Sequence, residues 1–205
     1  MTLARQNTAI QQAQAGTAAW IPHLSIEEVQ GLAAAAHNAA RNGKGDRDAL
    51  IIQTIFDGCF RVTEALSLTP NSLRETQDGW SARIVGKGGK PGEVAVSASL
   101  VARLHQYAYQ RGIGPNERFF PFNKHRVWQI VNRAFEVTGI PKPEHVGTVH
   151  VLRHSGALAR LAQTGNPKAL QDRRRHVDAR MTIRYLKTLS AAESLRINQG
   201  VDFRW

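Results

Sequence analysis

Tyr185 lies nine residues beyond His176, and upstream of both stands His150-Val-Leu-Arg153-His154. A phenol, several imidazoles and a set of guanidiniums therefore share one basic segment toward the C-terminus. A tyrosine hydroxyl that attacks phosphorus needs cations against the non-bridging oxygens, a proton acceptor at the phenol and a proton donor for the departing sugar oxygen. The stretch from His150 to Tyr185 supplies most of these parts, so the chemistry it points to is phosphodiester transfer.

Size and charge fit that chemistry. At 205 residues the chain is long enough to bury a real core as one domain, with room for a small appendage and not for a second full domain. Lys and Arg number 27 against 16 Asp and Glu, a formal net charge of +11, which points to a polyanionic partner and first of all to nucleic acid. Cys59 is the only cysteine, which excludes an internal disulfide and a cysteine-built zinc site and makes a reducing cytoplasm the expected compartment. Met1 to Gly16 is polar and rich in Gln and Ala, unlike a secretory leader or a membrane span, and reads as an arm or short helix over residues 1–19.

The elements that must position these residues are mostly helices. Ser25-Ile-Glu-Glu28 has capping-box spacing, and Leu24, Val29, Leu32 and Ala36 carry a helix toward Arg41, broken by Asn42-Gly-Lys-Gly45. A second helix is expected from Asp46 to Gly58, and a third from Arg61, closed by Pro70. Between Leu73 and Val96 the period changes to two: Trp80, Ala82 and Ile84 alternate with Arg83 and Val85, and Asp78-Gly79 is a hairpin signal. That predicts an antiparallel sheet of two or three strands, two of them joined by the glycine-rich basic turn Gly86 to Gly92. Helices return over Ser97 to Gly112 and Asn123 to Thr138. A helix capped by Thr148 then holds His150 to Gln163, and shorter ones follow at 168–175 and 179–186. The fold class expected is mainly α with a small antiparallel β-sheet, α+β.

Arg61-Val-Thr-Glu64, Gly86-Lys87-Gly-Gly-Lys90, His150-Val-Leu-Arg153-His154, His176 and Thr182-Ile-Arg-Tyr185 occur in this order. Over roughly residues 20–190 the chain resembles the catalytic domain of a tyrosine recombinase of the phage-integrase family. The resemblance implies a catalytic set of Arg61, Lys87, His150, Arg153, His176 and Tyr185. Arg61 and Arg153 would grip the scissile phosphate, Lys87 would protonate the leaving 5′ oxygen, His150 would take or shuttle the phenol proton, and His176 would donate to a non-bridging oxygen. Tyr185 would become a 3′-phosphotyrosine. One ester is exchanged for another, so no cofactor, metal or ATP is implied.

Neighbouring residues take supporting roles. Glu64 supports its helix or an arginine, and His154 packs beside the site. Lys90 and the run Arg173, Arg174, Arg175 are read as DNA-phosphate contacts. Two departures from the family pattern stand out: Arg174-Arg175 precede His176 where Leu-Gly is usual, and Cys59 occupies a position that is often glycine, with a shift of the loop expected to absorb it. The N-terminal core-binding domain of most members is not matched, so the chain reads either as a naturally small member of the family or as a fragment of a longer protein, with Met1 and the low-complexity start favouring a natural beginning. Residues 191–205 read as a tail, with Leu195 and Ile197 on an amphipathic stretch that either docks on a neighbouring subunit or folds back.

The resemblance implies a site-specific recombinase acting on double-stranded DNA in integration, excision, inversion or resolution. It would assemble as a homo-oligomer, a tetramer on two DNA sites, with accessory DNA-bending proteins, no membrane association and a nucleoid location. A type IB-like topoisomerase, a DNA-binding regulator on the same fold and an RNA-binding protein are the rival readings.

Overall fold

The computed structural model describes residues 21–85, 89 and 91–169, and the backbone of 179–188 with side chains from 183 onward. Helix α1 (Ile26–Ala39) opens as the sequence predicts: Ser25 Oγ accepts from the Glu28 amide, and Glu28 accepts from the Ser25 amide at 2.8 Å. Val29, Leu32, Ala33 and Ala36 form its buried stripe, the i, i+3, i+4, i+7 pattern of one helix face. The chain then reverses through Asn42 and Gly43, both left-handed at φ 58° and 62°. Helix α2 (Gly45–Asp57) starts against α1, and a Cβ at Gly45 would stand 2.7 Å from the His37 carbonyl oxygen, so only glycine fits there. Ile51, Ile52 and Ile55 are fully buried, which makes α2 the central helix of the core.

After α2 come α3 (Val62–Ser67) and a 3-10 turn (Pro70–Ser72). Pro70 therefore opens the turn, in the first position where its missing amide costs nothing, and α3 has ended three residues earlier. Strands β1 (Leu73–Thr76), β2 (Gly79–Val85) and β3 (Pro91–Val96) form one antiparallel sheet in that order, with Thr76 opposite Gly79 and Val85 opposite Pro91. Ala82, Ile84, Val94 and Val96 face the core, and Arg83 and Glu93 face water, as a period of two requires.

Helix α4 (Ala98–Arg111) is capped by Ser97 and ends at Gly112, and α5 (Lys124–Thr138) is capped by Asn123 and ends at Gly139. Helix α6 (Thr148–Thr164) ends at Gly165. The three terminal glycines have φ between 63° and 66°, the left-handed conformation that stops a helix without a Cβ penalty. Thr148 is not the cap expected of it. Gly147 holds that position, and the Thr148 hydroxyl is engaged instead by the side-chain amide of Asn132 on α5 at 3.1 Å. Helix α7 (Ala179–Thr188) follows, and Thr188 Oγ1 accepts from the Ile21 amide at 3.2 Å, which joins the two ends of the described chain. The mainly helical fold with a small three-stranded sheet is the class that the sequence predicts.

Candidate active site

The loop after α2 and the first half of α6 bring together residues far apart in sequence. Glu64, on α3, is nearly fully buried and touches both arginines of the sequence reading. Its Oε1 accepts from Arg61 Nη1 at 2.8 Å, and its Oε2 accepts from the Arg61 backbone amide at 2.7 Å and from Arg153 Nη1 at 3.3 Å. One carboxylate thus holds two guanidiniums, that of Arg153 from 89 residues further along the chain than Glu64 itself. A guanidinium has five N–H donors in a fixed fork, so it can hold a carboxylate and meet a second acceptor. The two differ in exposure: the Arg61 side chain is 41% accessible, and that of Arg153 only 3%. Arg61 faces solvent, while Arg153 forms the buried back of the pair.

The turn that delivers Arg61 carries backbone strain. Cys59, in the position where the family pattern often has glycine, is itself left-handed at φ 49°. The side chain is buried beside Ala157, Leu158 and Leu161 of α6. A Cβ at Gly156 of α6 would stand 1.9 Å from the Phe56 carbonyl oxygen and 3.3 Å from Cys59 Sγ. The close crossing of α2 and α6 therefore depends on Gly156, two residues after His154.

Tyr185 enters from α7 and is fully buried in the cluster of Ile21, Cys59, Ala157, Leu158 and Leu161. Its hydroxyl is hydrogen-bonded to Nδ1 of His154, with the phenol donating when that nitrogen is unprotonated. His150, one helical turn earlier on α6, packs its ring edge-on against His154 with centroids 4.6 Å apart. The phenol therefore meets an imidazole on the residue next to Arg153. Among the described residues, no group of three or more His, Cys, Asp or Glu side chains is placed to hold a metal ion.

The profile of the phage integrase family matches residues 23–191. The chain belongs to that family. This integrase-family chain is 27% identical over 170 residues to a tyrosine recombinase XerC of Pelobacter propionicus, a match that covers 80% of the chain and 54% of the relative. It thus spans about half the length of the curated relatives it matches. Among solved structures, the catalytic domain of bacteriophage HP1 integrase superposes with a TM-score of 0.63 at 21% identity, over 88% of this chain and 95% of that one. A XerH site-specific recombinase, solved bound to its difH substrate before cleavage, gives 0.69 at 20% identity over 86% of this chain and 52% of that one. At such identities the likeness speaks for the fold, which is that of a tyrosine recombinase catalytic domain.

Of the residues singled out in the sequence, Arg61, Glu64, His150, Arg153, His154 and Tyr185 are described, and they form the two linked groups above. Lys87, Lys90, Arg173, Arg174, Arg175 and His176 lie outside the described residues, as do the arm 1–19 and the tail 191–205. The bond from His154 to the tyrosine is what the sequence reading left out. A histidine at each of two positions one turn apart was a visible signal, but nothing in the spacing says which of them the phenol meets. Likewise, the three-residue spacing of Arg61 and Glu64 shows their pairing, whereas the reach of Glu64 to Arg153 depends on tertiary packing.

Proposed function

We propose that this chain is the DNA-cleaving and rejoining part of a site-specific recombinase, working through a 3′-phosphotyrosine. The observation that carries the reading is the buried Glu64, which accepts from both Arg61 and Arg153, the latter next in sequence to His154, the tyrosine's imidazole partner. Two guanidiniums and one carboxylate leave one net positive charge, and the part-exposed Arg61 offers N–H groups to phosphate oxygens. That charge is worth most as the phosphorane-like transition state gains negative charge.

In the reaction, the Tyr185 oxygen bonds to phosphorus and the bond to the 5′ oxygen breaks. The phenol proton passes to an imidazole of the His150–His154 pair, and the leaving 5′ oxygen takes a proton from Lys87, as the family resemblance implies. His176 would hold a non-bridging oxygen. The 5′ hydroxyl of a partner strand reverses these steps and frees Tyr185, so the ester energy is conserved throughout. Because Tyr185 is enclosed and tied to His154, attack requires α7 to move the phenol out of its cluster toward the phosphate. Exchange between strands needs two DNA sites, hence four copies, with residues 191–205 as a candidate contact between them.

The test is the DNA product. Supercoiled plasmid carrying the chain's native flanking sequence should yield rearranged circles or linear exchange products. Relaxation without exchange would support the topoisomerase reading, and binding with neither outcome would support a regulator.

A further inference from the structure

A second cationic feature lies at the other end of α2 from the Arg61 loop. The turn between α1 and α2 and one face of α5 enclose a cleft of about 340 Å³, lined by Arg41, Lys44, Arg126, Arg133 and Gln129 over a floor that includes Asp48. The negative groups nearby are already engaged. Asp48 is buried and accepts from Arg47 Nε at 2.8 Å, with Arg126 3.8 Å away. Asp46 pairs with His37 at 3.2 Å, and Glu136 lies 3.5 Å from Arg133 and 3.8 Å from Lys142. Arg41 and Lys44 have no ion pair among the described residues and project from a turn fixed by the left-handed Asn42 and Gly43. Arg111 of α4 also donates to the Gly43 carbonyl, which anchors that turn.

The start of α5 adds an argument from the helix dipole. Its first residues are Lys124, His125 and Arg126, with no acidic residue in the first turn. Cations at the positive end of a helix are unfavourable by some tenths of a kcal/mol each unless an anion is present. Trp128 on the same helix is half exposed and stacks on His125, with ring centroids 5.6 Å apart. Cations on the turn and on one face of α5, together with a helix start charged against its own dipole, favour the same occupant, a phosphate group.

We propose that this cleft is a phosphate subsite that holds a backbone phosphodiester of the DNA, separate from the phosphate under attack. The 13 residues of α2 separate it from the Arg61 loop by about 20 Å. The inference rests on DNA being the partner of the chain, though not on Tyr185 being the nucleophile.

The test measures binding of the full chain to an arbitrary duplex over a series of salt concentrations. Each phosphate contact contributes about 0.9 to the slope of log affinity against log salt. The double variant Arg41→Gln with Lys44→Gln should lower that slope by about 0.9, the share of one phosphate, with an unchanged thermal midpoint, and Arg41→Lys with Lys44→Arg should keep it. An unchanged slope in the double glutamine variant overturns the proposal. It is equally overturned if millimolar inorganic phosphate shifts the amide resonances of residues 41–44 while the DNA slope stays the same, since the cleft would then take a free anion. Covalent-adduct formation, scored in parallel, separates the two readings: a lowered slope without adduct keeps the subsite and removes the strand-transfer chemistry, and an adduct with an unchanged slope does the reverse.

Discussion

The guanidiniums of Arg61 and Arg153 repel each other, and their shared bonds to the Glu64 carboxylate relieve that repulsion. Because Glu64 and Arg153 are both almost fully buried, removing the carboxylate takes an anionic partner from a buried cation. Glu64→Ala should therefore cost about 3–5 kcal/mol of stability, read by denaturant unfolding. A loss under 1 kcal/mol would mean that the pair is held by something other than charge. His154 bears on the chemistry. If its bond to the Tyr185 hydroxyl serves proton transfer, His154→Ala should slow single-turnover cleavage by about a hundredfold with DNA affinity kept. Cleavage at the wild-type rate would assign the bond to packing alone. At this scale the sequence was informative about which residue types to expect and less so about their pairing. Arg61, Arg153 and Tyr185 stand out by their order along the chain, whereas which imidazole meets the phenol depends on the rotation of α6 about its own axis.

Among elements, the crossing of α2 and α6 fixes the distance between the Arg61 loop and the helix of His150, Arg153 and His154. Gly156 sets how near the two helices lie, since a methyl group there meets the Phe56 carbonyl, which is backbone and cannot turn aside. Gly156→Ala should destabilise the protein by about 2–3 kcal/mol, measured as a lowered unfolding midpoint, and a neutral substitution would contradict this packing. Helix starts and stops were legible because they are local. Ser25, Ser97 and Asn123 cap through side-chain oxygens, and Gly112, Gly139 and Gly165 end helices in the left-handed conformation. Thr148 and Cys59 were not legible for a physical reason. The Thr148 hydroxyl is claimed by a residue on another helix, and the left-handed backbone at Cys59 is imposed by the packing around it.

Across the whole molecule, the excess of 27 basic over 16 acidic side chains produces a field that draws in a polyanion before any specific contact forms. Affinity for a duplex without a target site should fall by about a thousandfold between 50 and 200 mM salt, a drop expected for roughly six phosphate contacts, and a flat salt profile would remove DNA as the general partner. Charge and fold together are compatible with binding alone, so the central claim, that Tyr185 forms a covalent bond to DNA, needs a direct chemical test. The decisive measurement mixes the wild-type chain and Tyr185→Phe with supercoiled DNA of the native flanking sequence, then looks for protein that stays attached to DNA after denaturation. A resistant adduct with the wild type and none with Tyr185→Phe, at equal DNA binding, is the expected result; an adduct that persists in Tyr185→Phe would contradict the account.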